Sequence, residues 1–446
     1  MSTTKACGAG GRPTTKRIGL LAAVVLLSGC AARWEDYRSR VSAGIEDRIG
    51  RGLRPAPGPA VPDGVSLADG LSEEEAVAVA LWNNAEFHAG LAELGLARAD
   101  LIEAGLLHNP VLSLLFPWGP KQLEFTATWP VETLWQRPRR VAVARLGAER
   151  VAENLVQHGL NLARDARIAH ADLILAQDRA RLGQQEAGVR RRMAELAEAR
   201  LLAGDGSALE ASAARAAAQL AEEPAARFAH DVVLARDRLR SLLGLNDDEP
   251  PFQITCAEVA PRPNAEIAGL VKQALAARPD LRAAELAIEA AGQRAGLERS
   301  KSLAIAGILD ANQEGKAGFE AGPGIGLPLL FFQRNAGGKA RAEAELDGAS
   351  RRYLALRRRI VLEVEEAHAR FRQAEEALRA VRGNILPALE EGVRRAEKVY
   401  QAGEESYLVV LENTLRFQQA RRRELEAAAD LRRASAALDR SVGKKS

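Results

Sequence analysis

The side chains best able to do chemistry in this chain are few and scattered. The six histidines are His88, His108, His158, His170, His230 and His368. None of them pairs with another at metal-ligand spacing, and no Ser-His-Asp grouping, phosphate loop or cofactor motif accompanies them. Most carboxylates lie beside arginines on helical faces, as in solvated ion pairs. The sequence therefore indicates no catalytic site, no metal site and no bound cofactor, and it does not indicate an enzyme.

One cysteine has a context that predicts covalent modification. A basic leader precedes a short apolar run, Ile18 to Leu27, and Leu27-Ser28-Gly29-Cys30 follows. The run is too short for an ordinary membrane-spanning helix and is typical of a signal peptide. Its end resembles the lipobox of bacterial lipoproteins, in which the cysteine is acylated and becomes the first mature residue. A plain signal peptide or anchor with a chance cysteine is the alternative. Ala31 follows without the aspartate that favours inner-membrane retention, so anchoring in the outer membrane is expected.

Two short turns are the other candidate site. Ala203-Gly204-x-x-Ser207-x-Leu209 returns 199 residues later as Ala402-Gly403-x-x-Ser406-x-Leu408. Both glycines end helical stretches, where a positive φ is often needed. They are either simple helix caps or, with Ser207 and Ser406, positions that dock another protein.

Acidic side chains occupy the same turns. Asp205 lies in the first turn, and Glu404 and Glu405 lie in the second. Where a ring of identical chains brings such turns together, these residues can line a narrow acidic mouth that favours cations. The alternative is that they are solvent-exposed turn charges.

The elements that carry these turns are themselves duplicated. Leu81-x-x-x-x-Glu86-Phe87 returns as Leu275-x-x-x-x-Asp280-Leu281, and Pro130-Val131-x-x-Leu134 returns as Pro328-Leu329-x-x-Phe332. The offsets, 194 and 198, nearly equal that of the turns and preserve their order. A repeat this long exceeds any solenoid unit. The sequence therefore predicts an internal duplication, in which two copies of about 200 residues share one fold.

Each copy predicts a helix, a strand pair, a very long helix, a turn and a return helix. In the first copy these are a helix from the Ser72 cap to about Leu107, strands at Val111–Phe116 and Leu123–Trp129, a helix over Arg139–Ala203 with a heptad stripe, and a return to Leu243. In the second they are a helix from about Ala265 to Ser300 interrupted at Arg278-Pro279, strand-like segments at Leu303–Ala311 and Gly324–Leu330, a long helix from about Ala336, and a return to Val442. The long helix of the second copy carries a heptad stripe of Val364, Phe371, Leu378 and Ile385, and Pro387 should kink it.

Composition limits the class of protein. The chain has 62 Lys and Arg against 59 Asp and Glu, and only 4% aromatic residues. The balanced charge gives no argument for nucleic acid. The abundance of alanine, leucine, arginine and glutamate is typical of long helices. After removal of the leader and acylation of Cys30, only Cys256 would remain as a thiol, so no intrachain disulfide is expected.

The strands raise a question of closure. Leu123 to Trp129 alternates apolar and polar side chains, which fits either a half-buried hairpin or a membrane strand. Four strands per chain cannot close a membrane barrel, so a barrel would have to be shared between chains. Arg137, Arg139 and Arg140 follow the second strand, either at the periplasmic rim of such a barrel or as an ordinary helix start.

The chain resembles the TolC-like outer-membrane efflux proteins over essentially everything from Leu71 to Gly443. The segments that carry the resemblance are Leu106-Leu107-His108-Asn109-Pro110-Val111-Leu112-Ser113, Arg278-Pro279-Asp280-Leu281-Arg282-Ala283-Ala284-Glu285, Gly324-Ile325-Gly326-Leu327-Pro328-Leu329-Leu330-Phe331-Phe332-x-Arg334-Asn335, Leu386-Pro387 and Tyr400-x-Ala402-Gly403-x-x-Ser406. The first segment is closest to the CzcC-like metal-exporting branch. In that branch a proline is common where His108 stands, and Trp135-Gln136-Arg137-Pro138-Arg139-Arg140 replaces the usual glycine-lysine exit.

The resemblance implies a fold class and a set of partners. The fold would be mostly α with a small β part: duplicated helical hairpins forming a periplasmic tunnel, and four strands per chain in a shared twelve-stranded trimeric outer-membrane barrel. The homotrimer would be a passive exit duct for metal ions or drugs. It would dock through its tips on a periplasmic adaptor, or membrane fusion protein, that is coupled to an inner-membrane pump of the RND type. Outer-membrane lipid would be a partner, and nucleic acid would not.

The resemblance also sets the expected organisation of the chain. The segments are 1–29, lipoprotein signal peptide; 30–70, lipidated N-terminus and Pro/Gly linker; 71–260, first repeat; 261–443, second repeat; and 444–446, a short tail. The alternative function is a periplasmic coiled-coil scaffold or adaptor lipoprotein without a pore. Adaptors usually have one hairpin, whereas this chain predicts two hairpins with a strand pair in each copy, which favours the duct.

Overall fold

The structure is a computed structural model. It describes residues 36–53, 61–62, 65–67, 69–116, 118, 121–245, 252–256, 266–314, 318–329, 331–402 and 404–444. The chain divides into two compact units. The sheet unit contains residues 94–149 and 286–349, and the hairpin unit contains residues 37–93, 150–285 and 350–446. No helix in the described ranges is long and apolar enough to cross a membrane.

Ten α-helices and four strands are present in the described residues. In chain order they are α1 Tyr37–Ile49, α2 Glu73–Asn83, α3 Ala85–Gly105, β1 Val111–Leu115, β2 Lys121–Pro130, α4 Thr133–Leu202, α5 Ala208–Leu243, α6 Ile267–Ala277, α7 Pro279–Ser300, β3 Ala306–Glu314, β4 Phe319–Gly326, α8 Ala336–Ala380, a π-helical segment Val381–Ile385, α9 Leu386–Gln401 and α10 Tyr407–Val442. The mostly helical fold class with duplicated long hairpins and four strands is confirmed.

The two copies repeat each other in their contacts as well as in their order. Asn84 separates α2 from α3, and its Nδ2 donates to the Leu242 carbonyl at 3.0 Å. Arg278 separates α6 from α7, and its Nη1 donates to the Ser441 carbonyl at 3.4 Å. Leu242 and Ser441 are 199 residues apart, which is the offset of the turns. The end of each return helix therefore docks on the equivalent break in its own copy.

The predicted single helix from Ser72 to Leu107 is wrong at Asn84. The Ser72–Glu75 capping box is confirmed. Asn84 then adopts an extended conformation, and its Oδ1 accepts from the Phe87 amide at 2.9 Å, so it ends one helix and caps the next. Asparagine competes well with helical hydrogen bonds for this reason. The break lies where Arg278-Pro279 interrupts the second copy.

The four strands form one antiparallel sheet in the order β1-β2-β3-β4. Val111 pairs with Thr128, Thr128 with Ile308, and Ile308 with Gly324. Two strands in each copy are confirmed, but the bounds predicted for the last strand are wrong, because β4 runs from Phe319 to Gly326 rather than from Gly324 to Leu330. All five residues of β1 are exposed. An apolar edge strand that is open on both faces requires a further partner.

One face of the two central strands, β2 and β3, is largely polar. Glu124, Thr126 and Thr128 share it by alternation along β2. The Thr126 hydroxyl donates to Asp310 Oδ1 at 2.8 Å, and Asn312 Nδ2 donates to Asp310 Oδ2 at 2.8 Å. The alternation that the sequence shows in β2 therefore continues across β3.

The region 30–70 contains a helix that was expected to be linker. In α1, Val41 and Ile45 are fully buried. Gly159 of α4 lies so close to Ile45 that a Cβ there would come within 2.8 Å of Ile45 Cδ1. Arg48 Nη2 donates to the carbonyl of Ala277, the last residue of α6, at 3.1 Å. This segment therefore packs against helices of both copies.

The two heptad stripes have different outcomes. Val364, Phe371 and Leu378 of the second copy are buried as predicted, but Ile385 is 39% exposed and Leu386 is buried. The cause is the π-helical segment, in which the Leu386 amide bonds the Val381 carbonyl five residues back. Pro387 has no amide hydrogen and clashes with an α-helical predecessor, so the chain takes one extra residue in that turn.

In the first copy the heptad stripe is mostly not a core. Leu175 is buried, whereas Leu196 is 49% exposed. A buried cluster between the two helices of this hairpin is built instead from the alanines Ala194, Ala214 and Ala218. Small side chains allow two helices to approach closely, so the residues buried between these two helices do not follow the leucine spacing.

Candidate functional site

The first hairpin turn is tightly built from its own residues. Gly204 has φ +83°, and a Cβ there would meet nothing within 4 Å. Its amide donates to the Leu201 carbonyl at 3.1 Å, and the Asp205 amide donates to the Arg200 carbonyl at 2.9 Å. Ser207 caps α5 through a reciprocal capping box with Glu210. The positive φ explains the glycine as a helix cap, and the open space around it leaves room for a partner.

The second turn differs in its capping. Gly403 lies outside the described residues. Around it, the Ala402 amide donates to the Lys398 carbonyl at 3.1 Å and the Glu404 amide to the Val399 carbonyl at 3.1 Å. Ser406 begins α10 without a side-chain cap, and valine, which stands where Glu210 stands in the first copy, cannot supply the reciprocal half of a capping box. The two turns are therefore equivalent in sequence but not in polar contacts.

A contact missed by the sequence reasoning joins the two turns. Arg200, near the end of α4, donates to the Tyr400 hydroxyl near the end of α9. Its Cζ lies 5.3 Å from the Tyr400 ring centroid, and its Nη2 donates to the Asp205 carbonyl at 3.4 Å. Tyr400 begins the segment Tyr400-x-Ala402-Gly403-x-x-Ser406, which carries part of the resemblance to the TolC-like proteins and is the one sequence signal for this residue. Of the four predicted docking positions, the three that the structure describes, Gly204, Ser207 and Ser406, thus flank one shared end of the hairpin unit.

Exposed charge and exposed apolar surface meet at this end. Asp205, Glu404 and Glu405 are all exposed, as the mouth hypothesis requires. Beside them, Leu202 is 89%, Leu209 78% and Leu408 65% exposed. Adjacent apolar side chains of this size on a protein surface commonly mark a protein contact. Within the described residues, no group of carboxylates, histidines or thiols is arranged to hold a metal ion.

Arginines line the seam between the two hairpins, α4 against α10. Arg433 binds Asp172 and Arg179 binds Glu426, both at 2.6 Å. Further toward the turns, Arg190 donates to the Gln418 side chain at 3.3 Å. Arg422 also pairs with Glu186, which is buried. This seam is polar, whereas α8 and α10 within the second hairpin share a large apolar cluster.

A buried ion cluster holds the second return helix. Arg278 has a side chain that is only 1% exposed and binds Asp280 at 2.5 Å and Glu363 at 2.6 Å. Arg440 reaches the same Glu363 oxygen at 2.5 Å. Burial acts to raise the pKa of Glu363, but the hydrogen bonds and charges of Arg278 and Arg440 outweigh it and hold that pKa below its ordinary value. The family segment around Arg278 therefore has a structural role.

The three arginines after β2 all lie in the first turns of α4. Arg137 Nε donates to the Gly105 carbonyl at 2.7 Å, and Arg140 Nη2 donates to the Leu106 carbonyl at 3.1 Å. Arg139 donates to the Gly296 carbonyl. Arg137 and Arg140 satisfy carbonyls at the C-terminal end of α3, which that helix cannot satisfy itself. The helix-start interpretation is confirmed, and a role at a membrane rim stays a prediction.

The remaining histidine and cysteine predictions have simple outcomes. His170 is buried, its Nε2 lies 3.0 Å from the Leu71 carbonyl, and burial lowers its pKa. It is a packed core residue. Cys256 is exposed, with its Sγ 2.8 Å from Arg432 Nη2. Cys30, the predicted lipidation site, lies outside the described residues.

Comparison with known proteins agrees with the long helical hairpins and the four-stranded sheet. Residues 270–444 match the family described as Outer membrane efflux protein. The resemblance to the TolC-like outer-membrane efflux proteins is thereby confirmed.

Individual relatives are similar over most of the chain. The cobalt-zinc-cadmium resistance protein CzcC of Cupriavidus metallidurans is 24% identical over 379 residues, covering 84% of this chain and 90% of CzcC. Among solved structures, CusC has a TM-score of 0.70 at 17% identity, covering 89% of this chain and 96% of its own. The MtrE outer-membrane channel of Neisseria gonorrhoeae has a TM-score of 0.67 at 18% identity, covering 88% and 98%. The structural similarity to these two channels shows the fold.

Proposed function

We propose that this protein is the outer-membrane channel component of a tripartite efflux system and acts as a passive exit duct. The carrying observation is the sheet, in which β1 and β4 are the end strands among the described residues and β1 is exposed on both faces. Three copies that pair β1 with β4 of a neighbour make a closed barrel of twelve strands, which removes the open edges. The family match supports the same assembly.

The hairpin turns supply the proposed contact with a periplasmic adaptor. Gly204 leaves open space, and Leu202, Leu209 and Leu408 offer apolar surface there. The adaptor would connect the duct to an inner-membrane pump, for which we propose the RND type.

A bulky residue in a turn tests this docking role. We expect Gly403→Trp to abolish export while the protein still reaches the membrane as a trimer, because a bulky indole in this turn would obstruct the proposed contact surface. Gly403→Asn is the matched control, since asparagine is small and is common in turns. Drug or metal susceptibility measures export, and native gel mobility measures assembly. Normal export by an assembled Gly403→Trp trimer would exclude docking at this turn.

The acidic turn residues give the duct a proposed preference for cations. Removing the charges of Asp205, Glu404 and Glu405 as Asn, Gln and Gln should shift the reversal potential of single channels toward that of a non-selective pore. The Glu412→Gln variant, on α10 beyond the turn, removes one charge elsewhere and is the control. Unchanged selectivity in the triple variant would mean that these are only solvent-exposed charges.

Anchoring by lipid on Cys30 is also part of the proposal, supported by the Leu-Ser-Gly-Cys sequence. Metabolic labelling with palmitate should mark the native protein and leave Cys30→Ser unmarked. Equal labelling of both would remove the anchor from the proposal.

The substrate class is proposed from the likeness to CzcC, whose printed name is a cobalt-zinc-cadmium resistance protein. We infer that divalent metal ions are exported. A deletion strain, with and without complementation, should be sensitive to these metals and indifferent to hydrophobic drugs and detergents. Drug sensitivity instead would assign the duct to a multidrug system. Wild-type resistance to both, with no conductance from the purified protein, would favour the scaffold alternative.

A further inference from the structure

A groove on the hairpin unit is not used by any role described above. It lies between α8, α10 and Ile168 of α4, and its volume is about 610 Å³. Its floor is apolar and is formed mainly by Ala374, Ala377, Ala427 and Ala434. Volumes between about 300 and 1,000 Å³ are typical of sites for drug-sized molecules. The floor therefore offers a flat apolar surface large enough for a small organic ligand.

The carboxylates beside the groove are already neutralised. Glu426 accepts from Arg179 at 2.6 Å, and Asp430 pairs with Arg433 at 2.8 Å. Arg433 also pairs with Asp172 at 2.6 Å. The two acids in the wall are therefore balanced by arginines, and the wall carries no excess of negative charge.

Among the described residues, one arginine in the wall of the groove is unpaired. In the part of the chain that the structure describes, Arg423 has no ion pair and no hydrogen bond. Arg370, across the groove, lies 3.5 Å from Glu366, and both of these side chains are more than half exposed. An exposed pair at this distance contributes little and is easily exchanged for a better partner. The groove thus has an apolar floor and two arginines that can donate hydrogen bonds to an anionic ligand.

We propose that this groove binds an amphipathic organic anion: a rigid apolar body lies on the alanine floor and a sulfonate or carboxylate faces Arg423. The planar guanidinium fork donates to such groups in bidentate geometry, and charge-assisted hydrogen bonds of this kind are the strong ones. The apolar body accounts for the floor, which a hydrophilic anion would leave unused. The proposal does not depend on the exit-duct function, because binding is measured on the isolated protein.

The test uses two probes with the same apolar body. Naphthalene-2-sulfonate and 2-naphthylmethylammonium are titrated by calorimetry into the purified full-length protein in nanodiscs. We expect the sulfonate to bind at least about tenfold more tightly than the ammonium compound, and Arg423→Gln to weaken the sulfonate about tenfold. Arg416→Gln removes the same charge from an exposed position of α10 that pairs with Glu412, and it should leave binding unchanged.

A second variant keeps the charge and fills the floor. Ala377 is exposed, so Ala377→Phe occupies the groove without disturbing a buried cluster. It should abolish sulfonate binding while far-UV circular dichroism stays native. Equal affinity for both probes, or equal losses in Arg423→Gln and Arg416→Gln, would overturn the proposal.

The other candidate occupant is a second copy of this chain. Ala377→Cys in a Cys256→Ser background reports on it through maleimide labelling of the assembled protein. Rapid labelling, blocked by naphthalene-2-sulfonate, is the expected result. Labelling that occurs only after the assembly is dissociated would show that a neighbouring copy covers the groove, and the anion site would be excluded.

Discussion

Replacing Arg278 with alanine lowers the free energy of unfolding by about 3 kcal/mol, which is the low end of the cost of breaking a buried ion pair. The side chain is 1% exposed, and its loss removes contacts to Asp280, Glu363 and the Ser441 carbonyl. The low end applies because Glu363 keeps Arg440 and both acids retain some exposure to water. Guanidinium titration of the purified protein, followed by circular dichroism, measures the change.

Two comparisons separate the cluster from a general loss of charge. Arg282→Ala breaks an exposed pair with Glu285 and should cost less than about 1 kcal/mol. Arg278→Lys keeps the charge but cannot bridge Asp280 and Glu363 with a rigid fork, so it should fall between wild type and Arg278→Ala. Equal costs for Arg278→Ala and Arg282→Ala would contradict the role assigned to the cluster.

The same cluster predicts a dependence on pH. The pKa of Glu363 is held below its ordinary value by Arg278 and Arg440 against the effect of burial, so its ionised form stabilises the fold. That contribution is complete above the ordinary carboxyl pKa and is lost as the pH falls through the lowered value. Wild type should therefore lose stability on acidification by more than Arg278→Ala does. Parallel pH curves for the two proteins would disprove the coupling.

Gly244→Ala should destabilise the protein by about 3 kcal/mol, by combining a strained backbone with a clash. Gly244 has φ +64°, and a Cβ there would lie 2.2 Å from the Asn83 carbonyl oxygen and 2.6 Å from its carbon. These atoms belong to the backbone at the end of α2 and cannot move without displacing the break at Asn84. Chemical unfolding of the variant measures the cost.

The duplicated fold provides the control at the equivalent position. Gly443 has φ +80°, but its Cβ would meet Arg278 Cγ at 3.1 Å, which is side chain rather than carbonyl. Gly443→Ala should cost about 1–2 kcal/mol, mainly for the backbone conformation. Gly269→Ala, inside α6 with open space around it, should instead stabilise by up to about 1 kcal/mol. Equal effects at Gly244 and Gly443 would mean that the clash is relieved.

The sequence predicted most long elements because their signals are local. Helix-forming composition marked α4 and α10, alternation marked β2, and a serine cap marked the start of α2. The exceptions depend on three-dimensional context. Asn84 breaks a helix through its contacts with Leu242 and Phe87, and the π-helical turn moves Leu386 rather than Ile385 into the core. The helix α1 was missed because its apolar residues follow a basic leader and precede a proline-rich linker.

The candidate site was predictable only in part for the same reason. Gly204 and Ser207 were found because a turn repeats a short motif. The Arg200–Tyr400 contact could not be found, because it joins residues 200 positions apart through the meeting of two hairpins. The anion groove also needs the fold, since only the pairing of Glu426 and Asp430 elsewhere shows that Arg423 is left over.

The seam between α4 and α10 has a practical consequence in chemical modification. Every cation named in it is an arginine, and the chain contains no lysine between Lys121 and Lys272. Amine-directed cross-linkers will therefore leave the first hairpin unlabelled, and a map of distances made with them will miss it. Dicarbonyl reagents such as phenylglyoxal attack guanidinium groups instead. They would break the ion pairs of the seam one at a time, beginning with those of the most exposed arginines.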